Sequence, residues 1–102
     1  MAVLMITTWY PPHKSGDIAK LYLKQPRQVP FVKKWRVFNV AAGKEGMKQY
    51  HLIYTEEGKG EEAGMALFKY FVPFTQIEGY NVQFESLLGV SDSYKLLGMT
   101  WE

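Results

Sequence analysis

Tyr50-His51-Leu52-Ile53-Tyr54 and, earlier in the chain, Val3-Leu4-Met5-Ile6 are apolar or aromatic at nearly every position. Successive residues of a strand point to opposite faces, so a half-exposed strand alternates apolar and polar side chains. A strand with no such alternation is expected to be covered on both faces. Two stretches have the spacing of sizeable amphipathic helices, enough to cover one face of a small sheet. A second copy of the chain is the economical cover for the other.

At 102 residues and 47% hydrophobic content, the chain can build one compact domain over residues 1–102 with a single core. The aromatic content of 16% predicts either a generous core or an aromatic-lined pocket. With no cysteine there are no disulfides, thiol nucleophiles or thiolate metal sites. The longest apolar run is too short to span a bilayer. The first residues lack a basic n-region and a small-residue cleavage site, which argues against a signal peptide. The expectation is a soluble, cytoplasmic protein.

A net charge of +2 conceals an asymmetry. Residues 1–44 carry eight basic side chains against one acid, Asp17, whereas residues 45–102 carry four basic side chains against nine acids. An isologous dimer would set each patch against its complement on the partner. A basic surface for an anionic ligand is a second reading, and solvated charge on helix and strand edges is a third.

The first strand is expected from about Ala2 to Thr8, stopped by Trp9-Tyr10-Pro11-Pro12, because two prolines cannot continue a ladder. Ser15 has the chemistry of an N-cap, and Asp17 suits the first turn of a helix that aligns Ile18, Leu21 and Tyr22 and ends before Pro26. A connector, Gln25 to Pro30, leads to a second strand from Phe31 to Ala42. Gly43-Lys44-Glu45-Gly46 is a hairpin signal before a third strand from Met47 to Thr55. A second helix starts near Glu61 with an apolar stripe of Ala63, Leu67, Tyr70 and Phe71. Pro73 either ends it at Val72 or kinks it, and Phe74 and Ile77 favour continuation to about Ile77 with Gly79 as a left-handed cap. Tyr80 to Leu88 alternates as a fourth strand, and Ser91-Asp92 can cap a short last helix ending at Gly98.

The order βαββαβ predicts a ferredoxin-like α+β sandwich with antiparallel sheet order 4-1-3-2. In it the central strands are the first and third, which are the two continuously apolar ones. On that order and those strands the chain resembles the dimeric α/β-barrel superfamily, in which two such sheets pack face to face. The resemblance covers nearly the whole chain and implies a sheet-to-sheet homodimer. The superfamily includes cofactor-free monooxygenases, isomerases and lyases, haem-binding members and proteins without known activity, and fold does not select among them.

Strand parity supplies the first candidate site. If Tyr80, Val82 and Phe84 face the helices on the fourth strand, and Tyr50, Leu52 and Tyr54 do so on the third, then the space between sheets receives His51, Gln83 and Glu85. His51 and Glu85 would be about 10 Å apart across the sheet, close enough for a small ligand to bridge. A histidine acid/base with Glu85 as an orienting carboxylate is a workable catalytic pair for proton transfer or oxygenase-type chemistry without a cofactor. The alternative is a polar dimer interface. The second candidate is Trp9-Tyr10-Pro11-Pro12-His13-Lys14, where Trp9 and Tyr10 could wall a ligand pocket while His13 and Lys14 meet an anion at a helix N-terminus. Its alternative is a structural plug.

Other chemistries find less support. His13 and Asp17 have i, i+4 spacing but no third metal ligand. No G-x-x-x-x-G-K-[ST] loop and no Gly-x-Ser-x-Gly elbow occurs. RNA-recognition domains share the βαββαβ order, yet Lys48 to Thr55 overlays their third-strand motif only in part, and Leu4 stands where a stacking aromatic belongs. The functional expectation is therefore a homodimer that binds a small aromatic or anionic molecule and has no cofactor. A non-catalytic interaction module and an RNA-binding domain are the rival classes.

Overall fold

The first strand, β1, spans Val3–Tyr10, two residues beyond the expected stop, and the turn Pro12–Lys14 follows it directly. The computed structural model describes residues 3–100, so Ala2, the expected start of β1, lies outside the described residues. Helix α1 is Ser15–Lys24, β2 is Val32–Ala41 and β3 is Met47–Thr55. Helix α2 is Gly60–Phe71, β4 is Asn81–Leu87 and α3 is Val90–Leu96. The result is an α+β fold with one open, four-stranded antiparallel sheet in the order β2-β3-β1-β4, compatible with a ferredoxin-like arrangement.

The interior strands are β1 and β3, the two apolar ones. Their register sets Ile6 opposite His51 on one side and Phe84 on the other. This row faces the helices: Ile6, His51 and Ile53 are all 1% exposed or less, and the rings of His51 and Phe84 both contact Phe71 of α2. Helix α2 buries Ala63, Leu67, Tyr70 and Phe71, a stripe at i, i+4, i+7 and i+8 spacing, while α1 contributes Ile18 and Leu21. The core they close includes Leu4, Tyr10 and Phe74.

Pro73 neither ends the chain's helical path nor merely kinks it. The α-helix stops at Phe71 and a 3-10 turn, Val72–Gln76, carries Phe74 into the core, with Gly79 in the left-handed region at φ 84°. Nor does Ser15 cap α1. The preceding 3-10 turn runs straight into the helix, Lys14 holds the cap position, and the Ser15 hydroxyl donates back to the carbonyl of Pro12 at 2.7 Å. Similarly, Gly89 rather than Ser91 or Asp92 caps α3.

The parity of β3 is the reverse of the sequence expectation. His51, Ile53 and Thr55 are buried beneath the helices, whereas Tyr50, Leu52 and Tyr54 lie half-buried on the open face. Beside them in register stand Met5, Thr7 and Trp9 of β1, Arg36 and Phe38 of β2, and Gln83 and Glu85 of β4. A one-residue change of parity exchanges every side chain of a strand between faces.

Candidate functional site

Trp35 enters from the edge strand β2 on the helix side of the sheet, opposite Ile53. Its indole packs edge-on against Tyr70, with centroids 5.0 Å apart, and its Nε1–H donates to Nδ1 of His51 at 3.0 Å. That bond decides the histidine tautomer: Nδ1 accepts, so the neutral ring carries its proton on Nε2. Nε2 faces Oε1 of Gln49 at 3.3 Å, and Gln49 donates in turn to Oδ1 of Asn39 at 2.8 Å. The chain Trp35–His51–Gln49–Asn39 thus runs with each link joining a donor to an acceptor, from the core to the exposed end of β2. Burial lowers the pKa of His51 from 6.5 to about 4, so the ring is neutral at physiological pH.

On the far side of Trp35 a cleft of about 300 Å³ opens between the C-terminal end of α1 and β2. Its walls are Tyr22 and Leu23 of α1, Trp35 and Val37 of β2, and Tyr70 of α2, with Gln25, Pro26 and Arg27 along the rim. The cleft exists because the two helices stop short of the β2 edge: Val37, opposite His51 on the helix side, is 38% exposed. The Tyr70 hydroxyl, its pKa raised to about 12 by burial and by neighbouring Tyr22, stays protonated and available as a donor. Arg27 forms no ion pair among the described residues. Three aromatic rings, a fixed cation and a hydroxyl donor suit a flat organic anion.

The residues singled out from the sequence are distributed elsewhere. His51 and Glu85 do not share a face: His51 lies under the helices, and Glu85 pairs with Met5 on the open face and is exposed. No small ligand can bridge them through the sheet, so the catalytic pair is not formed. Gln83, opposite Thr7, lies with Glu85 on the open face. Trp9 and Tyr10 are separated in the same way, Trp9 half-buried on the open face and Tyr10 in the core. His13 is exposed on the Pro12–Lys14 turn, and Lys14 is 3.9 Å from Asp17. This junction is filled by neighbouring loops. A Cβ added to Gly79 would lie 2.6 Å from Cγ of Pro11, and one on Gly46 would lie 2.9 Å from the Tyr10 carbonyl oxygen. None of these seven residues lines the cleft.

Sequence reasoning grouped Tyr22 and Tyr70 with the helix stripes and treated Arg27 as connector. The usable signal was the aromatic content, which a small core does not fully absorb. Among the described residues, no cluster of three or more metal-ligating side chains is present, and no helix is long and apolar enough to cross a membrane. Comparison with known proteins yields no match to a family model, a curated protein or a solved structure.

Proposed function

We propose that this chain binds a small aromatic anion in the cleft between α1 and β2, and works as a homodimer closed through the open sheet face in the manner of the dimeric α/β-barrel superfamily. The observation that carries the ligand is the convergence of Tyr22, Trp35 and Tyr70 with Arg27 on one 300 Å³ hollow. A planar ring fits between such walls, and a carboxylate or phenolate meets the guanidinium at the rim. Supporting the dimer is the half-exposed apolar set Val3, Met5, Leu52, Tyr50 and Tyr54, which the chain's own helices leave uncovered.

Binding is a better reading than catalysis by His51. Both ring nitrogens already have protein partners, and a proton taken up at Nδ1 would confront the indole N–H of Trp35. A screen of aromatic acids and quinones by thermal shift, followed by calorimetry on the hits, tests the proposal. Arg27→Ala and Leu23→Glu both change exposed residues of the cleft, so the fold is expected to survive. Each should weaken a true cleft ligand at least tenfold. Hits unaffected by both substitutions would place the ligand elsewhere.

One observation favours a second reading. The open face carries Trp9, Phe38, Tyr50 and Tyr54 among Lys34, Arg36 and Lys48, with the Lys48 ammonium 5.4 Å from the Trp9 ring and 5.0 Å from that of Tyr50. Aromatic rings interleaved with cations are a stacking platform for single-stranded nucleic acid. A chain that stays monomeric and binds a single-stranded RNA oligomer in a salt-dependent way would support this reading over the dimer.

A further inference from the structure

The aromatic cleft adjoins a second, wider hollow. Residues Arg27 to Trp35 together with Glu56 surround about 620 Å³ of open space, and Arg27 and Trp35 line both hollows. The outer hollow differs in chemistry from the inner one. Arg27 and Lys33 supply two cations against one carboxylate, Glu56, while the Lys34 ammonium lies over the Tyr54 ring on the open face, and Val29, Pro30, Phe31 and Val32 form the apolar part of the wall.

The wall is built from irregular backbone. Phe31 adopts φ 67°, a left-handed conformation that costs a residue with a Cβ about 1 kcal/mol or more. Its carbonyl accepts from the backbone N–H of Glu56 at 2.8 Å, which fixes the strained residue against the end of β3. Two positions later the β2–β3 register slips, and Lys33 stands unmatched between Val32 and Lys34. A bulge releases a residue from the ladder and re-aims its surroundings. Two departures from regular geometry within three residues, both in the wall of one hollow beside an aromatic cleft, are the mark of a shaped site.

We infer that the ligand extends from the inner cleft into the outer hollow, and that its class is a nucleotide: the base against Tyr22, Trp35 and Tyr70, the phosphates toward Arg27 and Lys33. This rests on the proposed cleft and adds the identity of its ligand. A flat heterocycle fills the small aromatic hollow, whereas the outer hollow is too open and too basic for an apolar group. Successive phosphates each meet excess positive charge there, so affinity should climb with phosphate number.

Titration of adenosine, AMP, ADP and ATP, with tripolyphosphate alone as control, tests the inference by calorimetry and by tryptophan fluorescence. Expected is a rise of tenfold or more from adenosine to ATP, with tripolyphosphate at least tenfold weaker than ATP. Lys33→Glu, at an exposed bulge residue, should flatten the rise and leave adenosine binding unchanged. Equal affinity of adenosine and ATP, or of tripolyphosphate and ATP, overturns the nucleotide assignment. So does binding of aromatic acids that is sensitive to Arg27→Ala and accompanied by no nucleotide binding, an outcome that keeps the cleft. Failure of aromatic acids and nucleotides alike removes both.

Discussion

The indole N–H of Trp35 donates to Nδ1 of His51 across 3.0 Å, joining edge strand β2 to interior strand β3 beneath α2. With Gln49 at its other nitrogen, His51 is a fully satisfied neutral imidazole at 1% exposure. A buried acceptor deprived of its donor costs about 1–3 kcal/mol. Trp35→Phe removes the donor while keeping a ring against Tyr70, and should destabilise the protein by about 2 kcal/mol in urea unfolding. In His51→Leu the acceptor is already gone, so the same tryptophan substitution should cost at least 1 kcal/mol less. Costs that simply add would show that the bond contributes nothing specific.

The same histidine sets a pH dependence. Its folded pKa of about 4 lies below the unfolded value of 6.5, so in that interval the unfolded chain binds more protons. Stability due to His51 is therefore complete above the unfolded value and is lost as pH falls toward 4. Between pH 7.5 and pH 5 the loss is about 2 kcal/mol. His51→Leu should show a shallower decline than the parent across that range. Parallel curves for the two proteins would mean that other groups carry the acid sensitivity.

How far the sequence disclosed the molecule is clearest on β3. Element order, the interior place of the two apolar strands and the antiparallel sheet all followed from apolar runs and turn residues, because those signals are local. The facing of β3 did not. Tyr50, Leu52 and Tyr54 are more apolar than His51 and Thr55, so a rule that sends apolar side chains inward selects the wrong set. The polar set is tolerated inside because Trp35, 16 residues earlier, and Gln49 satisfy His51, a pairing that only the register creates. On β4, where one parity is plainly polar, the expected facing of Val82 and Phe84 agrees with the structure. Beyond the high aromatic content, the cleft has no sequence signature: Tyr22, Arg27, Trp35 and Tyr70 come from three elements and a connector.

Gly79 tests the filled junction at Pro11. Both Gly79 at φ 84° and Gly58 at φ 73° disfavour a side chain through backbone conformation, by about 1 kcal/mol each. Only at Gly79 would the added Cβ also meet Pro11, at 2.6 Å, whereas at Gly58 it meets open space. Gly79→Ala should therefore be more destabilising than Gly58→Ala by 1 kcal/mol or more in chemical denaturation. Equal costs would show that the turn at Pro11 yields easily and that the junction is loosely filled.

The open face yields the last expectation. Leu52 sits on it between Arg36 and Met5, with Glu85 next to Met5, so this row across the sheet runs from positive through apolar to negative. A second copy related by a two-fold axis can set Arg36 of one sheet near Glu85 of the other while the apolar centres meet. Sedimentation should then give about twice 11.8 kDa for the parent, weakening at high salt. Leu52→Asp places an unpaired charge in the apolar centre and should yield a monomer with unchanged far-ultraviolet circular dichroism, because Leu52 is outside the helix-side core. A parent that is already monomeric at high concentration would reject the sheet-to-sheet dimer. The aromatic and basic face would then belong to a different partner, and single-stranded RNA is the first to titrate.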